Sequence, residues 1–360
     1  MSESARSDGV ISSLEARVRK VWAGDAGLGI RIASALYGLG HDGRNLLFDA
    51  GILESRGMPI PVISVGGLTS GGSGKTPISA AVAGWLVEGA RRPAVITGGV
   101  PDEAAVHRRR NPDLTVSDRR ARRSAVQGAM ESGAGVAVLD SGFQPRRIRS
   151  DLQIVCVDAL SALRPGRRRL PAGPFRDRWS ALQRAHAVVL VRRGADSSSH
   201  RSSTAVRALL AEIENLAPGL LACSCVIRPT GLRAANAAAE GINPSRDTVA
   251  VAGVMWPESF FVALDELGIA TESRLAFRDH EPYASRQLES ILTAGTGGVV
   301  CTLKDAVKLG PLLADEVPVW YLEEEAIWEV GEAQLRRGVL RTAFVHQITG
   351  PADSLQGDRL

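Results

Sequence analysis

Apolar residues in this chain follow two rhythms. Short unbroken runs, such as Pro61-Val62-Ile63-Ser64-Val65 and Gly135-Val136-Ala137-Val138-Leu139, alternate with longer stretches where apolar side chains recur at helical spacing. Unbroken runs suit strands buried on both faces. They predict strands at 61–66, 93–98, 136–140, 153–157 and 187–192, with helices at 76–88, 118–132 and 203–215. Alternation of this kind predicts a parallel sheet with helices on both faces. Segment 219–235 reads as a strand plus linker. Thr248-Val249-Ala250-Val251-Ala252-Gly253 then opens a second, smaller α/β unit, with strands expected at 273–277, 298–302 and 318–322. The expected organisation is N-terminal helices over 1–55, a main α/β domain over 56–235, a C-terminal α/β domain over 236–348 and a polar, disordered tail over 349–360.

Before the first strand, three segments carry helical periodicity. Residues 9–22 place Val10, Ile11, Leu14, Val18, Val21 and Trp22 on such a spacing, 28–39 add Leu28, Ile30, Ile32, Leu36 and Leu39, and 44–52 add Leu46, Leu47 and Phe48. With Arg17, Arg19, Lys20 and Arg31 nearby, these are basic amphipathic helices. They can lie in a membrane interface or pack their apolar faces on the domain core; the pattern fits both.

Composition narrows the class. Length allows two domains, and 44% hydrophobic residues suffice for a core, while aromatics contribute only 4%. The net charge of +4 is modest, and only four of the 43 basic residues are lysine: Lys20, Lys75, Lys304 and Lys308. Cys156, Cys223, Cys225 and Cys301 are dispersed, without the pairing that a zinc site needs; buried thiols in a reducing compartment are expected. No stretch has the length of a spanning helix. Charges at Arg6, Asp8, Glu15, Arg17 and Arg19 break any signal-peptide core, so a cytoplasmic protein is expected.

The most informative stretch is Gly66-Gly67-Leu68-Thr69-Ser70-Gly71-Gly72-Ser73-Gly74-Lys75-Thr76. It lies between a predicted strand and a predicted helix. This is a phosphate-binding loop arrangement, in which backbone N–H groups and a helix N-terminus meet an anion. Thr69, Gly71, Gly72, Ser73, Gly74, Lys75 and Thr76 are the expected nucleotide-binding residues, with Lys75 on the outer phosphates and Thr76 on Mg²⁺. Thr69 stands where the usual pattern has its first glycine. The fold class is accordingly α/β, a P-loop NTPase-type parallel sheet flanked by helices, with the smaller second domain.

Further constellations accompany the loop. Asp140 ends an apolar strand, as the Mg²⁺-holding acid of phosphate-loop enzymes does. Asp102 and Glu103 follow the 93–98 strand, where a carboxylate could accept a proton or simply begin a helix. Arg108-Arg109-Arg110 and Arg119-Arg120-Arg122-Arg123 form a basic stretch suited to anionic head groups or to a solvated helix face. It lacks the aromatics that would stack bases, so nucleic acid is not an expected partner. Leu170 to Asp177 is a rigid turn in which Arg176 could contact phosphate. His280, between Asp279 and Glu281, is a candidate acid/base or orienting group. Lys304 and Lys308 follow the 298–302 strand, as site cations or as the start of a helix.

In order, PVISVGGLTSGGSGKTP, VLDSGFQPRRIRSDLQIVCVDA, LPAGPFRD, VAGVMWPESFFVAL, FRDHEPY and CTLKDAVKL resemble the motifs of the tetraacyldisaccharide 4′-kinase family, over about residues 58–325. The family loop also has Thr at the position of Thr69. The resemblance implies transfer of the ATP γ-phosphate, with Mg²⁺, to the 4′-hydroxyl of a lipid-borne disaccharide 1-phosphate at the cytoplasmic face of the inner membrane; a peripherally bound monomer is expected. It implies Lys75, Asp102 and His280 in catalysis, Thr76 and Asp140 on metal, and Glu103, Gln144, Arg176 and Asp177 toward substrate or phosphate. It also implies a site closed between the two domains. The chain departs from the family at Ser141, which replaces a second acid, and at Pro145, which replaces a histidine. The loop between Thr97 and Glu103 is short and lacks the family's Arg and Tyr. Those departures leave open a catalytically silent relative or a kinase of another glycolipid.

Overall fold

The computed structural model describes residues 13–193, 200–313 and 316–349. They form two compact units, and the expected tail lies outside the described residues.

The phosphate-loop unit contains described residues 21–192, 200–227 and 326–349. Its strands are β1 (Val62–Gly67), β2 (Pro93–Ile96), β3 (Thr115–Ser117), β4 (Val136–Asp140), β5 (Leu152–Asp158), β6 (Ala187–Arg193) and the first half of β7 (Leu221–Ala234). They lie side by side in the order β3-β2-β4-β1-β5-β6-β7. The pairs from β3 to β6 are all parallel. Every residue of β1, β2 and β4 is buried, which is why their sequences are unbroken apolar runs. The register sets Val65 beside Asp140, so the loop after β1 and the acid ending β4 share the carboxyl end of the sheet, where open α/β sheets bind ligands.

One face of this sheet is covered by α3 (Lys75–Glu88), through Ile78, Val82 and Leu86. The expected C-terminal domain of 236–348 needs correcting here. From Ala326 the chain belongs to the phosphate-loop unit, and Leu335, Val339 and Ala343 of α11 (Glu332–Thr349) join the same core as α3. The boundary before the second unit also falls earlier than expected, within β7 at Arg228.

Two of the expected N-terminal helices are one. The segments 28–39 and 44–52 form a continuous 22-residue helix, α2 (Leu28–Asp49). It binds the unit through its polar side. Ser34 Oγ donates to the Arg169 carbonyl at 2.8 Å, Arg169 Nη1 reaches Asp42 at 2.8 Å, and Arg44 Nη1 donates to the Gln144 carbonyl at 3.2 Å. Leu28, Ile32, Leu36, Leu39, Leu46 and Leu47 of this helix are left exposed. Its apolar stripe therefore does not pack on the core. No helix among the described residues is long and apolar enough to cross a membrane.

The second unit contains described residues 13–20, 193, 228–313 and 316–325. Its strands β8 (Val249–Ala252), β9 (Ser273–Ala276), β10 (Val299–Thr302) and the first half of β11 (Val319–Val330) run parallel in the order β11-β10-β8-β9. Ala250, Ala252, Val300, Trp320 and Leu322 of these strands pack with Phe260 and Leu264 of α8 (Pro257–Glu266).

Because Leu335 is fully buried in the shared core, Leu335→Ala is expected to destabilise the phosphate-loop unit by about 2–5 kcal/mol. Urea unfolding of the two proteins measures it. A loss below about 1 kcal/mol would remove α11 from that core.

Candidate active site

The loop takes its shape from glycines. Gly71, Gly72 and Gly74 have φ of 69°, 61° and 76°, a region that L side chains rarely adopt. A Cβ on Gly74 would also meet Val191 Cγ1 at 2.8 Å, and one on Gly66 would meet Phe143 Cβ at 2.2 Å. The LPAGPFRD turn supports the loop from outside: Ser70 N donates to the Pro174 carbonyl at 2.7 Å and Arg176 N donates to the Leu68 carbonyl at 2.9 Å. α3 begins at Lys75 itself, and its N-cap is Gly74, so the helix N-terminus faces the loop. Lys75 Nζ rests on Ser73 Oγ at 3.1 Å.

Charges of both signs gather around Lys75. Burial lowers the pKa of its ammonium, and the Arg176 guanidinium lowers it further against the pull of Asp140 and Glu103. Arg122, near the N-terminus of α5 (Arg122–Glu131), is part-buried, donates to the Ser141 carbonyl at 3.4 Å and feels both Asp140 and Glu103. Lysine 75 and arginines 122 and 176 thus present cations to a space floored by backbone amides, an arrangement that suits a polyanion.

Asp140 is fully buried at the end of β4. Burial pushes its carboxyl pKa up, but a hydrogen bond and charge from His107, with Lys75 and the Thr76 hydroxyl, outweigh that and hold it below the ordinary carboxylate value. His107 Nε2 lies 2.9 Å from Asp140 Oδ2, while Asp140 Oδ1 is buried without a hydrogen-bond partner. One carboxylate oxygen and one hydroxyl, Thr76, are hard oxygen donors beside a phosphate cradle, and that set fits Mg²⁺, which is bound by few protein ligands plus substrate phosphates.

His107 carries no signal in the sequence analysis, whereas Arg122 belongs to the basic stretch read there as suited to anionic groups. Asp102 and Glu103 begin a helix, the second of the two readings the sequence allows, and lie in the first turn of α4 (Pro101–Arg110), with Asp102 half-buried. His107 shares the buried face of that helix with Ala104 and Val106. Had the helix been assigned, the spacing of Ala104 and His107 would have marked the histidine as inward-facing.

Gln144 and Asp177 are placed differently from the expected substrate contacts. Asp177 is buried, and its carboxylate accepts from Asn45 Nδ2 at 3.1 Å, Gln144 Nε2 at 3.1 Å and Arg184 Nη2 at 3.2 Å. Gln144 Nε2 also donates to the Gly67 carbonyl at 2.8 Å. Both side chains are occupied in a network joining α2, the loop and the turn. In a low-dielectric setting a carboxylate so supplied with donors ties the elements that carry them together.

In the second unit His280 is exposed, has φ of 64°, and receives Lys304 Nζ at 3.0 Å on Nε2. Lys304 also holds Asp279 at 2.6 Å. Lys308 donates to the Glu281 carbonyl at 2.8 Å. Asp305, at the start of α10 (Leu303–Leu313), accepts from Gly253 N at 2.8 Å, Tyr283 Oη at 2.8 Å and Thr302 Oγ1 at 2.7 Å. The CTLKDAVKL segment therefore begins a helix, and its two lysines hold the loop that carries His280.

The Asp177 network yields a stability expectation. Asp177→Ala leaves part-buried Arg184 without its carboxylate and is expected to cost about 3–5 kcal/mol in urea unfolding. A cost below about 1 kcal/mol would reduce the network to the worth of a surface pair.

Comparison with known proteins agrees with this geometry. The family described as tetraacyldisaccharide-1-P 4′-kinase, LpxK, matches residues 27–101 and 98–343. A tetraacyldisaccharide 4′-kinase of Chlorobaculum tepidum is 33% identical over 294 residues, covering 73% of this chain and 80% of the relative. One from Anaeromyxobacter sp. (strain Fw109-5) is 32% identical over 336 residues, covering 86% and 89%. A crystal structure of LpxK from Aquifex aeolicus in complex with ATP superposes with a TM-score of 0.66 at 24% identity, covering 88% of this chain and 99% of that one, which shows a shared fold. With its family motifs running in order through a phosphate-loop sheet, the chain belongs to the tetraacyldisaccharide 4′-kinase family.

Proposed function

We propose that this protein transfers the terminal phosphoryl group of ATP to the 4′-hydroxyl of a tetraacyldisaccharide 1-phosphate, a step in lipid A assembly. The observation that carries the reading is the meeting of the loop, Lys75, Arg122, Arg176 and Asp140 at the carboxyl end of β1 and β4. Phosphoryl transfer needs positioning and charge neutralisation more than covalent chemistry. The backbone amides of Gly71 to Thr76 hold the β- and γ-phosphates, and Lys75 neutralises them. Thr76 and Asp140 hold Mg²⁺, which when bound neutralises charge on the β- and γ-oxygens. Arg176 and Arg122 offset the charge that spreads over the transferred group. Asp102 takes the proton of the acceptor hydroxyl, and the family resemblance gives His280 a part in catalysis.

The lipid substrate requires a surface. The exposed leucines and isoleucine along α2 offer an apolar stripe that inserts at a membrane interface. We therefore assign the protein to the inner face of the inner membrane, bound peripherally and acting as a monomer.

Labelled ATP and a tetraacyldisaccharide 1-phosphate in mixed micelles test the reading. Label is expected on the 4′-position, and Lys75→Ala is expected to lower turnover at least about 100-fold. Binding of ATP with no transfer to any disaccharide lipid would instead make this a silent nucleotide-binding relative.

A further inference from the structure

We infer that His107 is a positioning residue for Asp140: its imidazole holds one carboxylate oxygen and so commits the other to the metal that accompanies the nucleotide. The inference rests on the assignment of Thr76 and Asp140 to Mg²⁺ made above.

Both groups are sequestered, His107 at 1% exposure and Asp140 at 0%, and the Nε2–Oδ2 separation is 2.9 Å. An ionised carboxylate only accepts, so Nε2 carries the proton. His107 Nδ1 is buried without a partner. Asp140 is thereby fixed through one oxygen while Oδ1 stays unmatched.

A buried acid of the same chain shows what a purely structural carboxylate looks like. Asp305 is equally buried, yet both its oxygens are met, Oδ1 by Tyr283 and Oδ2 by Gly253 N and Thr302. Asp140 is half-satisfied, and its carboxylate interacts with Lys75 and Thr76 of the phosphate loop. The chain also carries a single acid at this strand end, since the next residue is Ser141, with φ of 62°. One carboxylate must then face the metal unaided, and its orientation matters correspondingly more. Hydrogen bonds to a ligand from outside the coordination sphere orient it in this way.

The test separates metal-dependent from metal-independent binding. Affinity for a non-hydrolysable ATP analogue is measured calorimetrically in excess EDTA and again in excess Mg²⁺, for the wild type, His107→Leu and His107→Gln. In His107→Leu the metal-free affinity is expected to stay within about twofold of wild type, while the gain on adding Mg²⁺ falls about tenfold. Glutamine can place an amide N–H where Nε2 stood, and His107→Gln is expected to recover the gain to within about threefold. A full gain in His107→Leu overturns this inference alone. A wild type that gains nothing from Mg²⁺ overturns the metal assignment and this inference with it. If His107→Leu does not fold, ¹⁵N NMR of wild-type histidines decides: a proton on His107 Nε2 supports the inference and a bare Nε2 overturns it.

Discussion

A negative charge with no access to water sits at the end of β4, and the phosphate site is arranged around it. Burying a carboxylate is costly unless donors and cations compensate it. Asp140 accepts from His107 on Oδ2 and is further stabilised by the charge of Lys75 and by the Thr76 hydroxyl. Lys75 in turn is depressed by its own burial and by Arg176. These groups hold one another in place, and the excess of cations over acids at the loop matches a ligand with several negative charges. The glycines make this possible by letting the backbone approach where a Cβ would collide with Val191 or Phe143.

A second layer keeps the loop in register with its surroundings. Gln144 ties the Gly67 carbonyl to Asp177, Asp177 ties in Asn45 of α2 and Arg184, and the turn ending at Arg176 hydrogen-bonds directly to Leu68 and Ser70. The same helix that displays exposed leucines is thus wired through its polar side to the phosphate loop.

The strands were legible because they are buried on both faces, and continuous apolar runs such as 136–140 have no other use in a protein of this composition. The phosphate loop was legible because its glycines and Gly-Lys-Thr serve a backbone geometry rather than a fold-specific contact. What escaped notice depended on tertiary context. α4 is rich in arginine and buries only Ala104, Val106 and His107, so its periodicity is faint. α11 shows little segregation of apolar from polar positions along its length. The two segments of α2 looked separate because the Gly40 to Gly43 stretch interrupts the apolar pattern, though polar contacts of Asp42, Arg44 and Asn45 carry the helix through. Gln144 and Asp177 are assigned toward substrate only by the family resemblance. Burial of Asp177 and the convergence of three donors on it are tertiary facts that the sequence does not display.

The account centres on a triphosphate seated on the loop with its metal on Thr76 and Asp140. A crystal structure with Mg²⁺ and a non-hydrolysable ATP analogue tests it most directly. It should show the β- and γ-phosphates on the amides of residues 71–76, and the metal about 2.0–2.1 Å from Asp140 Oδ1 and the Thr76 hydroxyl. A nucleotide bound elsewhere, or a metal held without Asp140, would contradict it.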